Sequence, residues 1–472
     1  MKKIALSLLL IIFTFSIKAE LKMPAIFGDN MMLQQNTEVK LWGWADKGKT
    51  VTIAPSWSDK KHTVKADNNG KWTAKISTPT AGYSTYTMSV TDGKDKLTFN
   101  NILIGEVWLC SGQSNMEMPM KGFKNQPVAG SNEAILKSKN KNIRLITVKR
   151  SSSLTPLDDF IGEWKEACPE SVKEFSATGY YYGRLLNEML DVPVGLILSS
   201  WGGSWIESWM STEMLSSFRE VKLPETEEDI KEKNRTPTTL FNGMISPIAG
   251  YTIKGCIWYQ GESNYDRAAQ YPQLFQTMVD EWRKLWNQGE FPFFYCQIAP
   301  YNNPPENGKK YNAAFLREAQ LKSSQTIPNS GMVTLMDIGE EKCIHPRNKK
   351  IGGERLATMA LAKTYGMTGF AYESPIYKEM TVEDGKAILS FDNAPMWLTS
   401  FGEELTNFEI AGQDKVFYPA KAEIKRSKVE VYSDKVAQPV AVRYGFKDYV
   451  KADLFSTEGL PLSSFRTDNW DE

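Results

Sequence analysis

This sequence predicts a mainly parallel α/β/α sandwich flanked by two antiparallel β modules, and three observations carry the prediction. Between Asn101 and about Gly366, continuous apolar runs alternate with segments of helical period. That is the pattern of strands buried on both faces and joined by crossover helices. Before that stretch, and again after it, short strands of period two are separated by Gly, Asp and Asn turns. The 472 residues suffice for two or three domains, and a composition 41% hydrophobic and 24% charged is that of an ordinary globular protein. The expected division is a leader over 1–19, an N-terminal β-sandwich module over 20–100, the α/β domain over 101–370, and a C-terminal β module with its tail over 371–472.

Taken in order, Met1-Lys2-Lys3, an apolar core from Ile4 to Phe15, and Ser16-Ile17-Lys18-Ala19 read as a secretory signal peptide ending at Ala19. The apolar run is too short to span a bilayer comfortably. The mature chain is therefore expected to be periplasmic or secreted, with no stable membrane insertion. In the first module, Val39–Trp44, Thr50–Ile53 and Tyr86–Val90 alternate, with Asp67-Asn68-Asn69-Gly70 as a turn. Trp42, Trp44 and Trp72 read either as core or as a sugar-stacking platform. The central strands are Ile102–Leu109, Ile143–Val148, Val192–Leu198, Ile253–Tyr259, Phe291–Ile298 and Met332–Met336. Ser176 is placed to cap a helix through Tyr180, Leu185, Leu186 and Met189. Tyr271–Trp286 carries an apolar stripe of Leu274, Phe275, Met278, Trp282 and Leu285, and Asn348–Tyr365 is a third helix. Pro224–Arg235, dense in charge, reads as an exposed loop or short surface helix. Lys386–Phe391, Lys428–Tyr432 and Pro439–Tyr444 belong to the second β module.

Charge excludes some functions. Lys plus Arg equals Asp plus Glu, 56 each, so no net charge draws the protein to nucleic acid or an anionic membrane. Five cysteines cannot all pair within one chain. Cys256 and Cys296 sit in apolar strands, and Cys110 lies inside a strand rather than beyond its end. With two histidines and no Cys-x-x-Cys, a metal site is not expected, and no cofactor is called for.

The chemistry gathers at strand ends, where ligands collect in a parallel sheet. After the first strand comes Ser111-Gly112-Gln113-Ser114-Asn115-Met116, and a serine there can be a nucleophile if a base is near. Only His62 and His345 can supply an imidazole. His62 falls in an alternating polar strand; His345 follows an apolar one, in Asp337–Pro346. Histidine suits the task because its ordinary pKa of about 6.5 lets it accept and return a proton near neutrality. After the third strand, Trp201-Gly202-Gly203-Ser204 offers backbone N–H groups close to a substrate oxygen. After the fourth, Gln260-Gly261-Glu262-Ser263-Asn264 offers carboxamides. Each is ordinary loop composition; together on one rim they favour acyl transfer from an ester.

These residues closely resemble the sialate O-acetylesterase family of SGNH hydrolases: Gly-Gln-Ser-Asn-Met, Trp201-Gly202-Gly203, Trp258–Asn264 and Ile344-His345-Pro346 carry the resemblance. It extends to Pro24–Gln34, Leu240–Ile245, Glu458–Pro461 and Phe465–Asp468, nearly the whole mature chain. The resemblance implies an SGNH-type α/β/α sandwich and an acetyl-serine mechanism. Ser114 would attack, His345 would take its proton, and the oxyanion would be held by the Ser114 and Gly203 N–H groups and by Gln260, with Asn264 as the alternative. SGNH enzymes often carry an aspartate three residues before the histidine; here that position is Lys342. Asp337, Glu340, Glu341 or a backbone carbonyl is left to orient the ring, or the site is a Ser-His dyad. The expected substrate is a small acetylated sugar, foremost an O-acetylated sialic acid, for whose carboxylate Arg267 and Arg355 are cationic candidates. Acetylated plant polysaccharide or xylo-oligosaccharide is the alternative, and a non-catalytic carbohydrate-binding protein the second.

Overall fold

The computed structural model describes residues 20–305, 308 and 312–470. The leader expected over 1–19 lies outside them. The central sheet runs Ser330–Val333, Phe293–Cys296, Gly255–Tyr259, Lys96–Gly112, Val194–Ser200, Asn140–Thr147 and Lys165–Ala167. Every neighbouring pair is parallel except the last. Successive residues of these strands enter opposite cores, as a pleat requires. Val107, Leu109, Cys256, Trp258 and Phe293 pack with the Tyr271–Trp286 helix and the N-terminal module. Trp108, Cys110, Ile257, Tyr259 and Phe294 pack with the helices Ala177–Leu190 and Lys349–Lys363. Helices thus cover both faces of a mainly parallel sheet.

The helices follow their sequence signals. Ser176 Oγ accepts from the Gly179 N–H at 2.9 Å, closing the N-terminus of Ala177–Leu190. Leu274, Phe275, Met278 and Trp282 are buried along Tyr271–Trp286, whereas Leu285 is exposed. One helix, Ala314–Thr326, has no clear apolar stripe, because Arg317 and Gln320 occupy its buried face.

The first strand is longer than the sequence suggests. It spans Lys96–Gly112, alternating exposed and half-buried at first and wholly buried beyond Asn101. The boundary expected at 100/101 therefore falls inside a strand. Its first part pairs antiparallel with Gly82–Thr91, and the N-terminal module continues the central sheet through it. Asn101 sits at φ 55°, and the register shifts there, as at a β-bulge. Arg144, fully buried, donates to the carbonyls of Asn30 and Asn101 at 3.1 Å each and to that of Lys141 at 2.7 Å. Arg144→Ala would orphan these buried acceptors and leave a cavity. Denaturant unfolding is expected to register a loss of roughly 3 kcal/mol.

Trp72 is core, while Trp42 packs edge-on to Phe27 with Lys40 over its ring, and Lys22 lies over Trp44. The C-terminal module has its own core around Leu389, Phe408, Ile410 and Val431. It docks on the central domain through Arg317, which donates to Ser464 Oγ at 3.0 Å, and through the Arg466–Glu318 pair at 3.1 Å. No helix among the described residues is long and apolar enough to cross a membrane.

Candidate active site

The long strand ends at Gly112, whose φ of +131° and contact with Tyr259 leave no room for a side chain: a Cβ would stand 2.2 Å from the Tyr259 carbonyl. The chain turns there, and Ser114 opens a one-turn helix, Ser114–Glu117. The Ser114 N–H is one of the groups that a helix start leaves without an intrahelical acceptor. Ser114, Gly202, Gly203, Glu262 and His345 line one cavity of about 660 Å³. Four separate strand ends thus converge on one mouth.

His345 is half-buried, with its Nδ1 2.6 Å from Gln126 Oε1 and its ring edge-to-face with Phe123 at 5.3 Å. An amide oxygen can only accept, so Nδ1 carries the proton and Nε2 keeps its lone pair for a substrate-side donor. Gln126 and Phe123 are presented by a tight turn in which their backbones exchange two hydrogen bonds of 3.0 Å. Burial, reinforced by the Lys349 ammonium, pulls the imidazole down to about 4, so it is neutral at physiological pH.

Of the carboxylates expected to orient His345, two have other partners and the third faces solvent. Asp337 is held by Arg355 through two bonds of 2.7 Å. Glu340 accepts from the Arg347 N–H at 2.9 Å, and Glu341 is exposed. The ring nitrogen takes a neutral carboxamide instead, from a turn more than two hundred residues earlier.

The carboxamides after the fourth strand are likewise committed. Gln260 Nε2 donates to the Ser204 carbonyl at 3.1 Å and to Asn264 Oδ1 at 2.7 Å, while Asn264 Nδ2 donates to Glu207 at 3.0 Å. Both side chains are fully buried and neither lines the cavity. Gln113 does line it. Its Oε1 accepts from the Gly261 and Ser263 N–H groups at 3.2 and 3.3 Å, and its Nε2 has no partner among the described residues. A side-chain amide donor is therefore present, from the residue before the serine.

The glycine turn is fixed from both sides. Glu117 takes the Gly202 N–H at 2.8 Å and holds Arg150 through two bonds of 2.6 Å. Asn234 and Arg235 donate to the Gly202 and Gly203 carbonyls at 2.8 and 3.3 Å. The Gly203 N–H is left without a partner among the described residues, at a φ of +71° that favours glycine.

Beneath the serine lies a buried polar network. Asn115 Nδ2 donates to Glu262 Oε1 at 2.5 Å and to the Ile344 carbonyl at 3.1 Å, and Lys349 Nζ donates to Asn115 Oδ1. Asn115 thereby ties the serine turn to the histidine loop. Burial pushes the Glu262 carboxyl up and pulls Lys349 down to about 8, against the attraction between them. Lys349 and Gln126 have no motif of their own, and Asn115 stands out in the sequence only as part of Gly-Gln-Ser-Asn-Met. Cys110 is buried in its strand and burial pushes its thiol up, which rules it out as a nucleophile near neutral pH. None of the five cysteines is paired, and no metal-binding cluster occurs among the described residues.

The two arginines considered for a sugar carboxylate are also occupied. Arg355 is held by Asp337, and Arg267 by Glu207 and Asp266. Among the described residues, the cations lining the cavity are Arg150 and Arg235.

Residues 104–362 match the family described as carbohydrate esterase, sialic acid-specific acetylesterase. The sialate O-acetylesterase of Homo sapiens is 27% identical over 403 residues, covering 78% of this chain and 76% of that protein. That of Mus musculus is 28% identical over 431 residues, covering 78% of each. The crystal structure of a carbohydrate acetylesterase from Xanthomonas citri, 35% identical, aligns with a TM-score of 0.86 over 96% of this chain and 100% of that one.

Proposed function

Because the chain belongs to the sialic acid-specific acetylesterase family of carbohydrate esterases, we propose that it removes O-acetyl groups from sialic acids outside the cytoplasm, through an acetyl-serine at Ser114. The protein is a carboxylic ester hydrolase, and its class of reaction is sugar O-deacetylation. The observation that carries the mechanism is the shared cavity of Ser114, Gly203 and His345, with the ring's Nδ1 engaged by Gln126.

Ser114 Oγ attacks the acetyl carbonyl carbon while His345 Nε2 takes the hydroxyl proton. The tetrahedral oxyanion lies against the Ser114 N–H, the Gly203 N–H and the Gln113 side-chain amide. Collapse breaks the bond to the sugar oxygen, which leaves with the proton held on His345. Water, deprotonated by the same imidazole, then attacks the acetyl-serine, and acetate departs as Ser114 recovers its proton. Gln113→Glu keeps the acceptor for Gly261 and Ser263 but removes the donor. It is expected to lower kcat by about 10²- to 10³-fold with little change in KM, measured by acetate release.

Arg235, on the cavity wall, meets Glu232 at 3.4 Å and the Gly203 carbonyl at 3.3 Å, and the remaining donors of its partly exposed guanidinium can meet a sugar carboxylate, which supports the sialate reading. The Xanthomonas citri relative is a carbohydrate acetylesterase, a class broader than sialate esterases, and acetylated plant-type glycans are the second reading. Acetate release from O-acetyl sialic acid and from acetyl-xylo-oligosaccharides, by the wild type and by Ser114→Ala, separates the two. Equal slow rates on both would defeat the sialate assignment. Export rests on the leader sequence, and a mature N-terminus at Glu20 on protein recovered from the periplasm or medium is its test.

A further inference from the structure

A second cavity of about 490 Å³ adjoins the one at Ser114, and Trp205 and Arg235 belong to the walls of both. Its remaining wall is the charged segment that follows the short helix after the glycine turn, including Lys222, Leu223, Pro224 and Lys231. The two compartments are each of a size that takes a small organic ligand, and a single sugar at Ser114 would leave the second one empty. The partition between them is a ridge of indole and guanidinium. Arg235 lies 5.7 Å from the Trp205 ring centroid and Arg267 4.3 Å, so the ring is held in place by two cations. Charge around the second cavity balances, with Lys222, Lys231 and Arg235 against Glu225, Asp229 and Glu232. Such a wall suits a neutral polyhydroxyl ligand, whose hydroxyls both donate and accept, better than a polyanion.

We propose that the second cavity is a subsite for the sugar residue next to the acetylated one, reached across the Trp205–Arg235 ridge. The preferred substrate is then an acetylated oligosaccharide rather than a free acetylated monosaccharide. Trp205 and Arg235 are its specificity-determining residues. This rests on the sugar-deacetylase reading above and specifies its substrate class.

The test compares chain lengths in two series: O-acetyl sialic acid against O-acetyl sialyllactose, and mono-O-acetyl xylose against acetyl-xylobiose, -xylotriose and -xylotetraose. In at least one series KM is expected to fall tenfold or more from the monosaccharide to the oligosaccharide, with kcat changed less than threefold. Leu223→Trp, which fills the second cavity from a position outside the Ser114 cavity, is expected to bring the oligosaccharide's KM up to that of the monosaccharide. Equal kcat/KM at every length in both series overturns the proposal, as does a length preference that survives Leu223→Trp. Failure of the deacetylase reading would look different: no acetate from any member of either series, by enzyme that still hydrolyses 4-nitrophenyl acetate.

Discussion

Alanine at Ser114 and alanine at His345 are each expected to lower kcat for acetate release by about 10⁶-fold, roughly 8 kcal/mol of barrier. The double substitution is expected to cost no more than either alone. In the proposed mechanism the hydroxyl and the imidazole act as a unit: without the base the nucleophile keeps its proton, and without the nucleophile the base has nothing to activate. Such non-additivity is the signature that distinguishes a pair acting in one step from two residues that each help substrate to bind. Steady-state acetate release at saturating substrate provides the measurement. What remains in the double variant reports the Gly203 and Gln113 donors and substrate binding alone.

Gln126→Ala is expected to lower kcat by about 10²- to 10⁴-fold, the range set by loss of a correctly held imidazole tautomer. The Nδ1–H then has no acceptor in the turn, and the ring is free to carry its proton on the nitrogen that should face the serine. Gln126→Glu has a different consequence. The wild-type amide offers only a dipole to an imidazolium, and burial with the nearby Lys349 charge pulls His345 to about 4. A lowered pKa keeps the base form present at lower pH, so the acidic limb of kcat/KM in the wild type falls near pH 4 rather than 6.5. A carboxylate at 126 favours the charged ring and moves that limb upward by about 1 to 3 pH units. The pH profiles of the wild type and Gln126→Glu check both statements. An acidic limb at the same pH in the two proteins would contradict the contact.

The sequence carried much of the fold because burial on both faces writes itself as unbroken apolar runs, and each such run from Ile102 to Met336 corresponds to a strand of the central sheet. It concealed the continuity at Asn101. A strand that is half-solvated before a bulge and buried after it changes period midway, and the change reads as a domain boundary. The helix Ala314–Thr326 was hidden for a related reason, since its buried face is occupied by Arg317 and Gln320, whose partners lie far away in the chain. At the candidate site, the residues marked by a glycine turn or a strand end could be nominated from their spacing. Polar side chains whose role is fixed by tertiary partners could not. Asp337 is near His345 in sequence, but an arginine one helix away takes it, and the histidine's neighbour in space is Gln126. Gln260 and Asn264 look available as donors in the sequence, but in the core Gln260 donates to Asn264 and the Ser204 carbonyl, and Asn264 donates to Glu207.

The central claim is that Ser114 is the nucleophile and His345 the base that activates it. Labelling with a phosphonylating or diethyl phosphoryl ester probe, followed by peptide mass mapping, tests this most directly. Stoichiometric modification of the peptide bearing Ser114 is expected, with labelling slowed by several orders of magnitude in His345→Ala. Modification at another serine, or an unchanged labelling rate at Ser114 in the histidine variant, would contradict it.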